Sequence, residues 1–244
     1  MTNNSMSVSG WLRWDMIARV LRDSHPSRVL EVGCGRGAMG ARIAVRVTDY
    51  LGCEPDAESF AVARIRIEAA GGRVLQATFD ELPPDLLFDL VCSFEVLEHL
   101  EDDAGALAAW CGRLRPGGRV LVSVPAGRDH FGDCDAMVGH FRRYDPQDLV
   151  NLMRAAGLTN ISVVTYGWPV GRILELVRQQ AARAARVTAG GSTAERTAAS
   201  GRLLQPSGWF AGLATATLAF PFRFVQRLAP GRGTGLIGTG IVGA

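Results

Sequence analysis

A short apolar strand that leads into a glycine-rich turn and then a helix constrains the fold of this chain most. The stretch "RVLEVGCGRGAMGARIA" shows this order, and its valine and leucine residues favour extended backbone before the turn. Further strands are predicted at "DYLGC", "RVLQAT", "FDLVCSF", "RVLVSVPA" and "NISVVTYGW", most of them separated by helical patterns. Strands that alternate with helices of about ten to fifteen residues predict a doubly wound α/β fold, with a mostly parallel sheet covered on both faces.

The predicted strands and helices divide the chain into a core and two additions. Residues 1–24 contain an amphipathic helix, which we expect to form an N-terminal lid. Residues 169–231 contain a basic amphipathic helix, a small polar linker and an apolar segment, which together predict a helical cap. We place this cap as an insertion between strand six and a seventh strand, so that residues 25–168 and 232–244 form the core.

Cysteine usage and hydropathy predict a cytoplasmic protein. The five cysteines are scattered, odd in number and without a CxxC pair, so neither a disulfide framework nor a thiolate zinc site is indicated. The N-terminal sequence lacks the basic start and apolar core of a secretory signal, and no apolar run reaches the roughly 20 residues of a membrane span. We therefore expect neither translocation nor a membrane-spanning helix.

Charge is unevenly distributed along the chain. Residues 169–244 carry nine arginines and two glutamates, whereas the whole chain has a net charge of +2, so a basic tail follows an acidic body. The tail has no interleaving of basic and aromatic residues, which argues against a nucleic-acid partner. For residues 209–228, an uncharged run followed by Arg223 and Arg227, three interpretations stay open: peripheral contact with an anionic membrane, a homodimer interface, or a cap over the substrate pocket.

The glycine turn matches GxGxxA and GxGxxG, patterns that also occur in dinucleotide-binding sites. Two carboxylates favour a different ligand. Glu31 lies in the strand two residues before the first glycine, and Glu54 ends strand two. A carboxylate near the strand end suits a ligand with a cationic ammonium better than one with a pyrophosphate. Glu54 suits the ribose hydroxyls of a ligand of either kind. Glu31 therefore disfavours the alternative of a nicotinamide-dependent reductase.

A polar cluster follows strand four, at the edge of the sheet where ligands bind. In "SFEVLEHLEDD", Glu95, Glu98 and His99 occupy positions i, i+3 and i+4, a spacing that puts three side chains on one helical face. Three interpretations stay open: a structural or substrate-lining group, a metal-free base at His99, or a divalent-metal site. Two arginines in "GHFRRYD" either clamp an anionic acceptor or pair with the acidic residues 101–103.

Four ordered blocks, "VLEVGCGRG", "GCEPD", "FDLVCSFEVLEHL" and "LRPGGRVLVSVP", resemble the class I S-adenosylmethionine-dependent methyltransferases. The resemblance covers roughly residues 25 to 168 and implies a seven-stranded sheet of order 3-2-1-4-5-7-6 with S-adenosylmethionine as the cofactor. "FEVLEH" and the later "GHFRRYD" are similar to two metal-using subgroups, the small-RNA 2′-O-methyltransferases and the ubiquinone-pathway O-methyltransferases. The ubiquinone-pathway type is the closest in motif.

The resemblance assigns cofactor contacts to individual residues. Glu31 and the glycine turn would hold the methionine part and Glu54 the ribose, while Cys53 and Pro55 would flank the adenine. Many members have an aspartate that binds the adenine amine where this chain has Thr78, so that contact would fall to one of the next two residues. The expected cofactor-binding set is Glu31, Gly33, Cys34, Gly35, Gly37, Glu54, Pro55, Thr78, Phe79, Asp80, Ser93 and Glu95.

The same resemblance implies that the polar cluster acts on the methyl acceptor. His99 and His140 are the predicted catalytic residues, and Glu95, Glu98, His99 and His140 would hold a divalent ion such as magnesium. We expect methylation of a hydroxyl on a small molecule, such as a sugar, a polyketide or a lipid-linked metabolite. One open alternative is that this acceptor molecule carries an anionic group. A non-catalytic cofactor-binding interaction protein is the alternative, which the polar cluster disfavours.

Overall fold

The computed structural model describes residues 6–185, 209–229 and 231–243. Its seven-stranded sheet has the order β3-β2-β1-β4-β5-β7-β6, which confirms the expected doubly wound α/β fold. The strands are β1 (Arg28–Val32), β2 (Asp49–Cys53), β3 (Arg73–Leu75), β4 (Phe88–Phe94), β5 (Leu114–Pro125), β6 (Leu158–Gly167) and β7 (Gly233–Val242). The α-helices of the described residues are α1 (Val8–Ser24), α2 (Gly40–Ala44), α3 (Ala57–Glu68), α4 (Asp103–Cys111), α5 (Asp133–Val138), α6 (Pro146–Ala155), α7 (Val170–Ala185), α8 (Trp209–Ala219) and α9 (Phe222–Val225).

The strand directions bring the functional loops to one edge of the sheet. Strands β1 to β5 pair in parallel, and β7 lies antiparallel between β5 and β6. The carboxyl ends of β1 to β6 therefore meet at the edge where β7 begins. Ligands of open α/β sheets bind at this edge.

Apolar layers cover both faces of the sheet because successive strand side chains point to opposite sides. Val29 and Leu90 belong to the layer that includes buried residues of α1, α2 and α3. Leu30 and Val91 belong to the opposite layer, which includes buried residues of α4 and α6. The sheet is thus buried on both faces, as the near-continuous apolar runs of its central strands require.

An ion-pair cluster fixes α1 to the insertion. The carboxylate of Asp15 is buried, and it lies 3.2 Å from Nη2 of Arg223 and 2.7 Å from Nη2 of Arg227. Both arginines of residues 209–228, the segment predicted as a membrane contact, a dimer interface or a pocket cap, are therefore paired with α1. Breaking a buried pair leaves an uncompensated charge, so the cluster strongly favours this docking of the N-terminal helix.

The insertion between β6 and β7 contains helices α7, α8 and α9, as expected. The polar linker predicted between its two halves lies outside the described residues. Among residues 214–228, whose side chains the structure describes, the exposed large apolar residues are Leu218, Phe220, Phe224 and Leu228. Among the helices of the described ranges, none is both long enough and apolar enough to cross a membrane.

Two local predictions differ from the structure. Strand β3 ends at Leu75 rather than near Thr78, because the backbone N–H and hydroxyl of Thr78 both donate to Oε2 of Glu81, at 2.7 and 2.9 Å, and close a turn. After β4, Glu95 has a left-handed φ of 59° and a short 3-10 turn follows at Leu97–His99. The predicted helical face shared by Glu95, Glu98 and His99 is therefore absent.

Candidate active site

A cavity of about 1240 Å³ opens where the strands end. Gly33, Glu54 and Glu95, which follow β1, β2 and β4 directly, lie in its wall together with residues of α1, α5 and α7. Pockets for single small ligands usually measure about 300 to 1,000 Å³. The volume therefore accommodates a nucleoside-sized cofactor and a second molecule.

The glycine turn brings backbone close to its neighbours at two positions and leaves it open at a third. Gly33, Gly35 and Gly37 have φ values of 69°, 53° and 73°. A Cβ on Gly33 would lie 2.7 Å from Cγ2 of Val96, and one on Gly37 would lie 2.8 Å from Cα of Ala63. A Cβ on Gly35 would meet no atom within 4 Å. The turn thus presents unobstructed backbone to a ligand at Gly35.

Glu54 connects the end of β2 to the glycine turn. Its Oε2 accepts a hydrogen bond from the backbone N–H of Gly35 at 2.8 Å, and its Oε1 accepts one from Asp56 at 3.0 Å. Burial raises the pKa of Glu54. Cys34 and Pro55, both predicted for the cofactor, also line the cavity.

Glu31 and Arg13 lie in the cavity wall beside the turn. Glu31 is 2% exposed, its Oε2 accepts a hydrogen bond from Tyr50 Oη at 2.5 Å, and burial raises its pKa to about 8. Arg13 of α1 was not among the predicted site residues. Its Nε donates to Tyr166 Oη at 2.8 Å, and its Nη2 lies 3.1 Å from Oε1 of Glu95.

Glu95 is separated from the rest of the predicted metal set. Besides the ion pair with Arg13, its Oε1 accepts hydrogen bonds from Ser123 at 3.0 Å and from Tyr166 at 3.3 Å. The left-handed backbone at Glu95 gives it these partners on β5, β6 and α1. Glu95 does line the cavity, but it is not grouped with the other predicted metal ligands.

Glu98, His99 and His140 form a compact cluster of potential ligand atoms. One such atom from each residue lies within 4.8 Å of the others, and the two imidazole centroids are 4.6 Å apart. Glu98 is fully buried, and burial raises its pKa well above the usual range. Neither of its carboxylate oxygens receives a hydrogen bond from the described part of the chain. Burial, together with the neighbouring His140, lowers the pKa of His99 to about 4.

This cluster fits a divalent cation by its donor chemistry. A carboxylate and two imidazoles are common ligands of divalent metals, and the orphaned oxygens of Glu98 lack any other described hydrogen-bond donor. His99 and His140 line the cavity, so the cluster is within reach of a bound molecule. It therefore supports either proton transfer by an imidazole or metal binding.

The two arginines of "GHFRRYD" have different partners. Nη1 of Arg142 lies 2.7 Å from Oδ1 of Asp103, which agrees with the interpretation that pairs it with the acidic segment. Arg143 instead donates to Asp135 and Glu175. Neither guanidinium is free to clamp an acceptor.

Five residues of the expected cofactor-binding set lie outside the cavity wall: Gly37, Thr78, Phe79, Asp80 and Ser93. The Ser93 hydroxyl is buried and donates to a backbone carbonyl of β1 at 3.0 Å. Thr78, Phe79 and Asp80 do not line the cavity, because the turn that ends β3 uses Thr78 for its own hydrogen bonds. The Phe79 ring instead packs edge-on against Trp110, with centroids 6.4 Å apart.

The N-terminal segment contributes to the cavity, but its tryptophans do not. Trp11 and Trp14 line a separate cleft, where the guanidinium carbons of Arg42 and Arg46 lie 4.4 and 4.8 Å from their ring centroids. These cation–π contacts hold α1 against α2 and the turn that follows α2. The N-terminal residues that line the large cavity are Met6, Ser7, Ser9, Gly10 and Arg13.

The strand order, the glycine turn after β1 and the acidic residue after β2 together define a class I methyltransferase fold. Residues 12–163 match the family model described as a methyltransferase domain, and the chain belongs to this family.

Named relatives agree with this assignment. A probable S-adenosylmethionine-dependent methyltransferase of Mycobacterium tuberculosis is 32% identical over 138 residues, covering 55% of this chain and 50% of that protein. A ubiquinone biosynthesis O-methyltransferase of Alkalilimnicola ehrlichii is 34% identical over 117 residues, covering 46% and 47%. The structure of the N-methyltransferase NodS of Bradyrhizobium japonicum with S-adenosyl-L-homocysteine has a TM-score of 0.54 at 16% identity, covering 94% of this chain and 86% of that chain. The chain spans about half the length of the curated relatives it matches.

Proposed function

We propose that this chain is an S-adenosylmethionine-dependent methyltransferase that methylates a hydroxyl oxygen of a small molecule, such as a sugar, a polyketide or a lipid-linked metabolite. Family membership and the names of the relatives support the cofactor. One observation carries the acceptor chemistry: two imidazoles, at His99 and His140, line the same cavity as the glycine turn. An uncharged imidazole is suited to accept the proton that a hydroxyl loses on methylation.

The cofactor is placed by charge. Glu31 and Arg13 both line the cavity, where the carboxylate of Glu31 would bind the ammonium of the methionine part and Arg13 the carboxylate of the same group. Glu54 accepts hydrogen bonds from the ribose hydroxyls. The ammonium would give the buried Glu31 carboxylate an opposite charge, and the ligand carboxylate would join Glu95 as a partner of Arg13.

Methyl transfer is an in-line displacement that depends mainly on alignment. S-adenosylmethionine, when bound, would supply the methyl group: the acceptor oxygen would bond to the methyl carbon as the carbon–sulfur bond breaks, and the electron pair would leave on sulfur. The hydroxyl proton passes to Nε2 of His140, because Nδ1 of that ring lies 2.9 Å from Asp135 and serves as its donor. His99 lies beside this ring and keeps the acceptor oxygen close to it.

A divalent cation is a second candidate for activating the hydroxyl, because Glu98 offers buried oxygens that lack a described hydrogen-bond donor. Glu98, His99 and His140 would hold the ion, without Glu95. Two imidazoles and one carboxylate suit manganese, iron or zinc better than magnesium, which prefers oxygen ligands. When bound, such an ion lowers the pKa of the acceptor hydroxyl.

Arg178 of α7 is the proposed contact for an anionic group on the acceptor. It is half-buried in the cavity wall and has no ion pair with another described residue. The neighbouring acid on α7, Glu175, is paired with Arg143. Leu100, Val138 and Phe141 add apolar surface to the same wall, which favours an acceptor with both an apolar and an anionic part.

Calorimetry with S-adenosylhomocysteine and with NADPH tests the cofactor, and transfer of a labelled methyl group to a panel of hydroxylated metabolites tests the reaction. We expect binding of S-adenosylhomocysteine only, and turnover that His140→Gln abolishes while cofactor affinity is kept. Binding of NADPH alone would favour the reductase, and cofactor binding without turnover would favour the interaction protein. Activity that is lost on chelation and restored by manganese or zinc, but not in Glu98→Gln, would support the metal.

A further inference from the structure

A hydrogen-bonded series of four polar side chains links the inserted helix α7 to His140. Nδ1 of His140 lies 2.9 Å from Oδ1 of Asp135, and Nε of Arg143 donates to the same oxygen at 2.8 Å. Nη1 of Arg143 donates in turn to the carboxylate of Glu175 on α7. Asp135 belongs to α5, so these hydrogen bonds join α5, the segment after it and the insertion.

The two central side chains of this hydrogen-bonded series are shielded from water. The side chains of Asp135 and Arg143 are 2% and 8% exposed. Burial opposes ionisation of Asp135, but hydrogen bonds from His140 and Arg143 lower its pKa to about 2. Its second oxygen accepts the backbone N–H of Gly132 at 2.9 Å, so the carboxylate is held from two sides. Three donors converge on Asp135, and its orientation is therefore fixed.

An ionised Asp135 determines which nitrogen of His140 carries the hydrogen. A carboxylate only accepts hydrogen bonds, so Nδ1 of His140 must be the protonated nitrogen of the neutral ring. The lone pair is then on Nε2. That nitrogen lies 3.9 Å from Oε1 of Glu98, within the cluster that faces the cavity.

We propose that Asp135 is the positioning residue for His140, and that Glu175 holds Asp135 in place through Arg143. The proposal rests on the proposed function, in which Nε2 of His140 accepts a proton or binds a metal. It makes the insertion part of the catalytic arrangement: α7 contributes Arg178 to the cavity wall and, through Glu175, fixes the ring that acts on the acceptor. Outer partners of this kind orient a histidine and select its tautomer.

The variant that tests this proposal is Asp135→Asn, with Asp103→Asn as its matched control. Asp103 also accepts a hydrogen bond from a buried tyrosine and pairs with an arginine, but it does not contact a histidine or line the cavity. The chain has four histidines, so the ring nitrogens of His140 can be assigned by ¹⁵N NMR with a His140→Gln reference. We expect an Nδ1–H ring in the wild type and in Asp103→Asn, and a shift towards Nε2–H in Asp135→Asn.

Kinetics provide the second measurement. Asp135→Asn should lower kcat by about 10- to 100-fold, the usual effect of removing such an outer partner, while KM for S-adenosylmethionine stays unchanged. Glu175→Gln keeps the shape of the side chain but weakens its hold on Arg143, so a smaller loss of kcat in the same direction is expected. A general loss of structure would instead weaken cofactor binding as well.

The NMR result separates this proposal from the proposed function. An unchanged tautomer of His140 in Asp135→Asn overturns the positioning role, whether or not the enzyme turns over. A kcat loss no greater than that of Asp103→Asn also overturns it. If the wild type transfers no methyl group but the tautomer shifts as expected, the proposed function fails and the structural link stands. If Asp135→Asn does not fold, Glu175→Gln decides, because an unaltered His140 spectrum and unaltered kcat in that variant contradict the link.

Discussion

Replacing Glu31 with glutamine should change the pH dependence of the stability of the cofactor-free protein. Glu31 is buried, and its pKa rises from 4.5 to about 8 on folding because burial disfavours the charged form. The folded state therefore binds more protons than the unfolded state between these values, and the free energy of unfolding falls as pH rises. Glutamine keeps the volume and the hydrogen bond to Tyr50 but does not titrate.

The magnitude follows from the two pKa values. At 1.36 kcal/mol per pKa unit, ionisation of Glu31 removes about 3 to 4 kcal/mol of stability between about pH 5 and about pH 8. The free energy of unfolding of Glu31→Gln relative to the wild type should increase by this amount over the same interval. Taking the difference between the two proteins cancels the other titrating groups, including Glu98 and His99.

Urea denaturation at about one-unit steps of pH, with linear extrapolation to water, measures the difference. The exposed Glu58→Gln on α3 removes one carboxylate from the surface and serves as the control. If the stability difference between Glu31→Gln and the wild type is constant across the pH range, burial does not hold Glu31 protonated. Calorimetry then adds a functional check, because binding of the cofactor ammonium should ionise Glu31 and release a proton below about pH 8.

Three further predictions concern the turn, the histidine cluster and the N-terminal helix. Gly33→Ala should lower the free energy of unfolding by about 1 to 3 kcal/mol, because φ is left-handed and the new Cβ meets a side chain at 2.7 Å; Gly35→Ala should cost less in a thermal melt but weaken S-adenosylhomocysteine binding. His99 should stay neutral until about pH 4, and an NMR titration midpoint near 6.5 would contradict its burial. Asp15→Ala leaves two arginines unpaired, so its melting temperature should fall by several degrees more than that of the exposed Asp23→Ala on the same helix.

The fold could be predicted because its signals are local. Apolar runs, glycine turns and helical spacing each involve neighbouring residues, and their order along the chain implies the sheet. The same is true of Glu31 and Glu54, which stand at fixed offsets from strand ends and do line the cavity. Ser93 also stands near a strand end, but its hydroxyl donates to a carbonyl inside the sheet and it does not line the cavity.

The rest of the site depends on partners that are distant in sequence. Arg13 forms an ion pair with Glu95, which is 82 residues later in the sequence. Asp135 accepts a hydrogen bond from Arg143, which also donates to Glu175 on the insertion. No local sequence pattern contains these pairs. The one usable signal for Arg13 is that it is an arginine on an amphipathic helix. The spacing of Glu95 and Glu98 was misleading because a left-handed residue breaks the helical relation between them.

The two sides of the cavity come from different stretches of the chain, and this matters for how such proteins diversify. The side of the cavity proposed for the cofactor is built by the turns after β1 and β2, and α7 contributes to the side proposed for the acceptor. On the proposed placement, a recombination library confined to the sequence between β6 and β7 should change the acceptor preference and keep cofactor binding. The link through Arg143 sets one condition on every such graft: it must carry an acid at the position of Glu175.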